Sequence, residues 1–71
     1  MDARIKQLNS RIDRLEAEFE RNRQQLHRLA EENRRGTSDY DTLLERNLRI
    51  NDEIHSLLTA IWKLEEQQQH Q

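Results

Sequence analysis

Proline and cysteine are absent from this 71-residue chain, glycine occurs once, and phenylalanine, tyrosine and tryptophan occur once each. Without cysteine there is no disulfide, no thiolate nucleophile and no sulfur ligand for a metal. Without proline, and with Gly36 alone, nothing interrupts a helix except near the middle of the chain. Three aromatics leave no platform on which successive nucleic-acid bases could stack. No apolar run approaches the roughly 18–20 residues that a bilayer span requires. No glycine-rich loop is available to cradle a phosphate.

What is present is charge and a narrow apolar stripe. Charged residues make up 37% and hydrophobic residues 32%, a polar balance that would suit disorder if the apolar positions were scattered. They are not. Ile5, Leu8, Ile12, Leu15, Phe19, Leu26 and Leu29 recur at alternating steps of three and four, with Asn22 filling the one gap. This is the a/d pattern of a heptad repeat. Tyr40, Leu43, Asn47, Ile50, Ile54, Leu57, Ile61 and Leu64 continue it. The second half adds another seam on the b and e positions: Leu44, Leu48, Leu58 and Trp62, with Asn51 and His55 between them. So wide an apolar face implies contact with more than one neighbour.

Between the halves stands Asn33-Arg34-Arg35-Gly36-Thr37-Ser38-Asp39-Tyr40-Asp41. Arg34 and Arg35 suit the negative end of a helix dipole, and Asp39 and Asp41 suit a positive one. Gly36 is expected to take the left-handed conformation just past a helix end. Thr37, Ser38 and Asp39 are candidate N-caps. The expected fold is all-α, an antiparallel two-helix hairpin of coiled-coil type that dimerises into a four-helix bundle. It forms one domain over residues 1–71, with helix 1 at about 2–35, a turn at 36–39, helix 2 at about 40–66 and a frayed tail at 67–71. Folding back at that turn pairs positions whose numbers add to about 76, bringing Leu15 near Ile61, Phe19 near Leu57 and Leu26 near Ile50. The expected intrachain core is Ile12, Leu15, Phe19, Leu26, Leu43, Ile50, Ile54, Leu57 and Ile61. Leu44, Leu48, Leu58 and Trp62 are left for a second copy or another partner. The alternative is one continuous helix in a parallel two-stranded coiled coil. The heptad phase runs unbroken through the turn, and Asn33 and Asn47 then occupy a positions, where paired asparagines specify parallel dimers. Gly36 at a core d position, followed by poor helix formers, argues against it.

Residues 1–35 carry nine Lys/Arg against seven Asp/Glu, and residues 36–71 three against seven. The two halves should therefore attract one another, weakly in salt. Arg21, Arg23, Arg28, Arg34 and Arg35 gather near the end of the first half, but Glu18, Glu20, Glu31 and Glu32 are interleaved with them. A DNA-reading basic region would be nearly free of acids, so a solvated, salt-bridged face is the better reading. Asp52 and His55 share a helix face, yet helix 1 offers only Gln24 at the matching spacing before His27, a poor ligand for a hard metal. No metal or other cofactor is expected, and no catalytic set is visible: Ser10, Ser38 and Ser56 read as cap or surface residues. The expected function is that of a non-catalytic oligomerisation or adaptor module. A rod segment of a filament or larger assembly is the first alternative, and weak nucleic-acid binding by the Arg-rich half is the second. The expected partner is the chain itself, or another helical protein, with no role for membrane. The amphipathic start, Met1 to Lys6, lacks the apolar core of a signal peptide, so the cytoplasm is the expected location.

Overall fold

A computed structural model describes residues 2–69 of the chain. Asp2 begins its first helix. The Asp2 backbone is extended, and its carboxylate accepts the Arg4 amide N–H at 2.8 Å, filling one of the open donors that every helix start leaves. From there α1 runs Ala3–Glu31 without a helix breaker. Its end is set by Asn33, which stands at φ 59°, the only non-glycine residue with positive φ among the described residues. The Arg34 N–H donates to the Leu29 carbonyl at 2.8 Å and the Asn33 N–H to the Ala30 carbonyl at 3.1 Å. Those are the two bonds of a Schellman ending, with asparagine in the left-handed position.

Thr37 opens the second helix, α2 (Ser38–Gln69). Its hydroxyl oxygen accepts the Tyr40 N–H at 3.3 Å, and the same hydroxyl donates to the Arg34 carbonyl at 2.7 Å. One side chain thus caps the start of α2 and closes the connection behind it. Asp39 and Asp41 lie in the first turn of α2, where the dipole favours them.

The connection differs from the expected one in three respects. The residue with left-handed φ is Asn33, and Gly36 does not have positive φ. The α1 helix stops at Glu31 rather than near 35, so the chain is out of helix over 32–37 rather than 36–39. Of Thr37, Ser38 and Asp39, Thr37 is the cap, and the other two already belong to α2. At the far end α2 continues through Gln69, so 67–69 are helical rather than frayed. His70 and Gln71 lie outside the described residues.

The two helices pack against each other in a hairpin-like, all-helical arrangement. The Cα extents are 56 × 15 × 13 Å, where one continuous helix of this chain would be about 105 Å long. The single unbroken helix is therefore not the structure adopted. The helices run in opposite directions, since Gln68 donates to the Asp2 carboxylate at 2.7 Å while Asn22 in mid-α1 meets Asn47 at 2.9 Å.

That last pair corrects the axial alignment. Asn22 and Asn47 have position numbers that add to 69, one heptad short of the expected 76. The faces in contact are those expected, but they are slid by two turns. In this alignment Leu15 is level with Ile54, Phe19 with Ile50 and Leu26 with Leu43, so the pairings Leu15–Ile61, Phe19–Leu57 and Leu26–Ile50 do not occur. Asn22 donates to the Asn47 side-chain oxygen, and Asn47 in turn donates to the Phe19 carbonyl at 3.2 Å. Asn47 is only 4% exposed and retains no unpaired buried side-chain atom.

The seam between the helices is the core. Ile12, Leu15, Leu29, Ile50 and Ile61 are buried, with Ile50 wholly enclosed. Phe19, Leu26, Leu43, Ile54 and Leu57 are half-buried. All nine expected core residues thus lie in or beside the seam, and Leu29 joins them.

Two tests follow from this geometry. Asn47→Ala leaves Asn22 unpaired and should cost about 1–3 kcal/mol, read from urea denaturation. The double variant Asn22→Leu/Asn47→Leu should instead raise the midpoint while admitting more than one axial alignment, read as doubled backbone amide resonances, because apolar seam residues do not distinguish one heptad from the next. At the turn, a Cβ on Gly36 meets nothing within 4 Å, so Gly36→Ala should be neutral or stabilising by about 0.4–1 kcal/mol. Asn33→Val, forced into left-handed φ, should cost about 1–2 kcal/mol. The reverse ranking would mean that glycine, not asparagine, turns the chain.

Candidate interaction face

The heptad positions flanking the seam give the helix pair two unlike sides. On one side Arg11 reaches Glu53, its Nε 2.9 Å from the carboxylate, and Arg46 grips Glu18 with bonds of 2.7 and 3.1 Å. Both pairs cross slightly diagonally between the helices. One takes its cation from α1 and the other from α2, so the opposite net charges of the two halves are not what these contacts use. The Arg46 guanidinium, through its hydrogen bond, holds the Glu18 carboxyl below its ordinary value of 4.5. Asp2 is lowered in the same way, by the side-chain and then the backbone hydrogen bond of Arg4, and Glu20 by Arg23.

The other side of α2 is apolar and open. A stripe about 100° around the helix from the middle of the seam carries Leu44, Leu48, Asn51, His55, Leu58 and Trp62. Leu44 is 41% exposed, Leu48 60%, Leu58 50% and Trp62 62%, and Asn51 and His55 are exposed between them. The matching flank of α1 presents Asn9, Glu16 and Arg23, all exposed, and half-buried Ala30. The apolar face therefore belongs to α2 alone. All four residues singled out in the sequence as a second seam lie on it, and none takes part in the intrachain core.

The remaining candidates are dispersed. Arg23 pairs with Glu20, and Arg34 with Asp39 and Glu32. His27 lies 2.9 Å from Glu31 on its own helix. Asp52 and His55 are exposed, and among the described residues no group of three His, Cys, Asp or Glu is placed to hold a metal ion. Nor is any helix of the described residues long and apolar enough to cross a membrane. The grooves on the surface are open and shallow. One, between Leu8 and Leu64, is lined by Arg4, Lys6, Arg11 and Arg14, of which Arg4 and Arg11 already face carboxylates.

No protein-family model, curated protein or solved structure matches this chain.

The charged flank makes the helix pair sensitive to acid. Glu18 has a lower pKa folded than unfolded, so its contribution is complete above the unfolded value and is lost as the pH falls through the folded one. The urea midpoint should accordingly drop on acidification below about pH 4.5. Glu18→Gln should lower the midpoint at neutral pH and flatten, but not abolish, the acid slope, since Asp2 and Glu20 are lowered too. An unchanged slope would assign the acid response to other groups.

Proposed function

We propose that the chain is a non-catalytic oligomerisation or adaptor module: a short coiled-coil hairpin that acts through the open face of α2, in the cytoplasm, and assembles into a four-helix bundle with its partner. The observation that carries this reading is the alignment of Leu44, Leu48, Leu58 and Trp62 on one exposed stripe. Contiguous apolar surface of this kind is characteristic of interaction sites, whereas single exposed leucines are commonplace. Trp62 adds the residue type most often found at the energetic centre of an interface. The size of the chain points the same way. A pair of helices with one wholly enclosed side chain, Ile50, buries little surface for its length and gains from burying more.

At micromolar concentration the wild-type chain should sediment as a dimer or larger. Leu48→Glu/Leu58→Glu should sediment as a single 8.7 kDa chain and retain most of its far-UV helicity. Equal sizes for the two proteins would remove α2 as the association surface. Loss of helicity together with association would mean that the helix pair folds only as it assembles, and that the α2 stripe is not a separable interaction surface.

A further inference from the structure

We infer that the occupant of this face is a second copy of the chain, docked antiparallel through α2 about a two-fold axis at the level of residue 53. This rests on the reading of the α2 stripe as an interaction surface and adds its partner and geometry. The argument is the order of residues along the stripe. Positions 44 and 62, 48 and 58, and 51 and 55 are equidistant from 53. An antiparallel copy therefore sets Leu44 against Trp62 of the second copy, Leu48 against Leu58, and Asn51 against His55. Every apolar side chain meets an apolar one, and the two polar side chains meet each other, an amide opposite an imidazole with complementary donors and acceptors.

No neighbouring alignment does this. Sliding the copies by one heptad in one direction sets Leu44 on His55 and Leu48 on Asn51. Sliding in the other sets Asn51 on Trp62 and His55 on Leu58, and carries Leu44 and Leu48 beyond Leu64 into the polar end of α2. A parallel pair also matches apolar with apolar, but it sets the two largest side chains, Trp62 on Trp62, at one level and the smaller leucines at others, where the antiparallel pair sets each Trp62 against Leu44. A contact in which one patch meets itself by two-fold rotation is the ordinary way for a chain to form a closed dimer, and this stripe has the required symmetry built into its sequence.

The area is sufficient. At the exposures given above, the four apolar side chains offer on the order of 500 Å² per copy. Two copies remove about 1,000 Å² from water when these side chains are wholly covered, the threshold for a specific interface, before Asn51, His55 and the half-buried edge of Ile54 are counted. Between Leu44 and Trp62 the stripe carries no acid and no fixed cation; Asp41 and Glu65, which continue it, meet each other at the two ends of the contact, where both are exposed and solvent screens them. Asp52, next to it and near the axis, lies at the outer rim, where solvent screens its approach to Asp52 of the second copy.

The absence of cysteine allows one nitroxide label per chain without touching the stripe, through Glu45→Cys, Asp52→Cys or Glu66→Cys. In the antiparallel dimer the axial offset between copies is about 24 Å at Glu45, about 3 Å at Asp52 and about 39 Å at Glu66, at 1.5 Å per residue. Distances measured by pulsed electron resonance should therefore be shortest at Asp52 and lengthen toward both ends. The same measurement in the Leu48→Glu/Leu58→Glu background should show no distance between copies. Equal, short distances at all three sites would mean a parallel pair and overturn this inference, while leaving the stripe an interaction surface. Distances that persist in the Leu48→Glu/Leu58→Glu background would place the contact elsewhere and overturn both. A wild-type chain without any intercopy distance, sedimenting as a monomer, would overturn the second copy as occupant and leave only the adaptor form of the functional reading.

Discussion

The hydrogen bond between Asn22 and Asn47 fixes how the two helices stand against one another. Apolar seam residues spaced in heptads repeat every two turns, so burial alone ranks alignments one heptad apart as nearly equal. The two amides do not repeat. Sliding by one heptad toward the alignment at 76 sets Asn22 against Ile54 and Asn47 against Leu29. Sliding the other way sets Asn22 against Tyr40 and Asn47 against Leu15. Either slip leaves amides facing hydrocarbon, at about 1–3 kcal/mol for each unpaired group. For each amide that is comparable to the burial of one leucine or isoleucine, and both amides are lost together in either slip. The Asn47 bond to the Phe19 carbonyl strengthens the preference, because it satisfies the second half of the buried amide.

The turn follows from this alignment. A pair centred on Asn22 and Asn47 puts the apex of the connection between Arg34 and Arg35, so α1 has to end by about residue 32. The residue then required to reverse the backbone is Asn33. Asparagine is, after glycine, the residue that most often takes the left-handed position at a helix end. Gly36 falls three residues too late for that role and sits in a conformation that other residues adopt. Judged from local preference, glycine is the obvious stop signal. Judged from the seam, the stop belongs where the register puts it, and the tertiary constraint prevails over the local one.

That contrast marks what was legible in the sequence. The heptad spacing shows two helices and the face of each that turns inward: of the nine expected core residues Ile12, Leu15, Ile50 and Ile61 are buried and the other five half-buried, while Leu44, Leu48, Leu58 and Trp62 are exposed. Axial position does not follow from the spacing, and a turn centred on Gly36 and its neighbours places it one heptad away from the alignment observed. The error of one heptad in the alignment and the displaced turn are thus the same error. The information needed to avoid it lay in Asn22 and Asn47: two amides on otherwise apolar stripes have to find each other, and only one antiparallel alignment lets them. Read singly, Asn22 is a gap in the pattern and Asn47 a mark of parallel pairing. Read as a pair, they give the register.

The same reasoning links the two flanks of α2 to its open stripe. The Arg11–Glu53 and Glu18–Arg46 bridges close one flank of the helix pair. A third helix docking there would have to desolvate four charges, at a cost that an ion pair seldom recovers. The opposite flank carries leucines and a tryptophan on α2 and no cross-helix bridge. Charge on one side and hydrocarbon on the other therefore steer any further helix to a single position, against Leu44, Leu48, Leu58 and Trp62. Docking there also covers the outer edge of Ile54, which the first pair of helices leaves half-buried. The seam within the chain and the proposed seam between copies thus adjoin at this residue, and whatever occupies the open stripe stabilises the helix pair as well as binding to it.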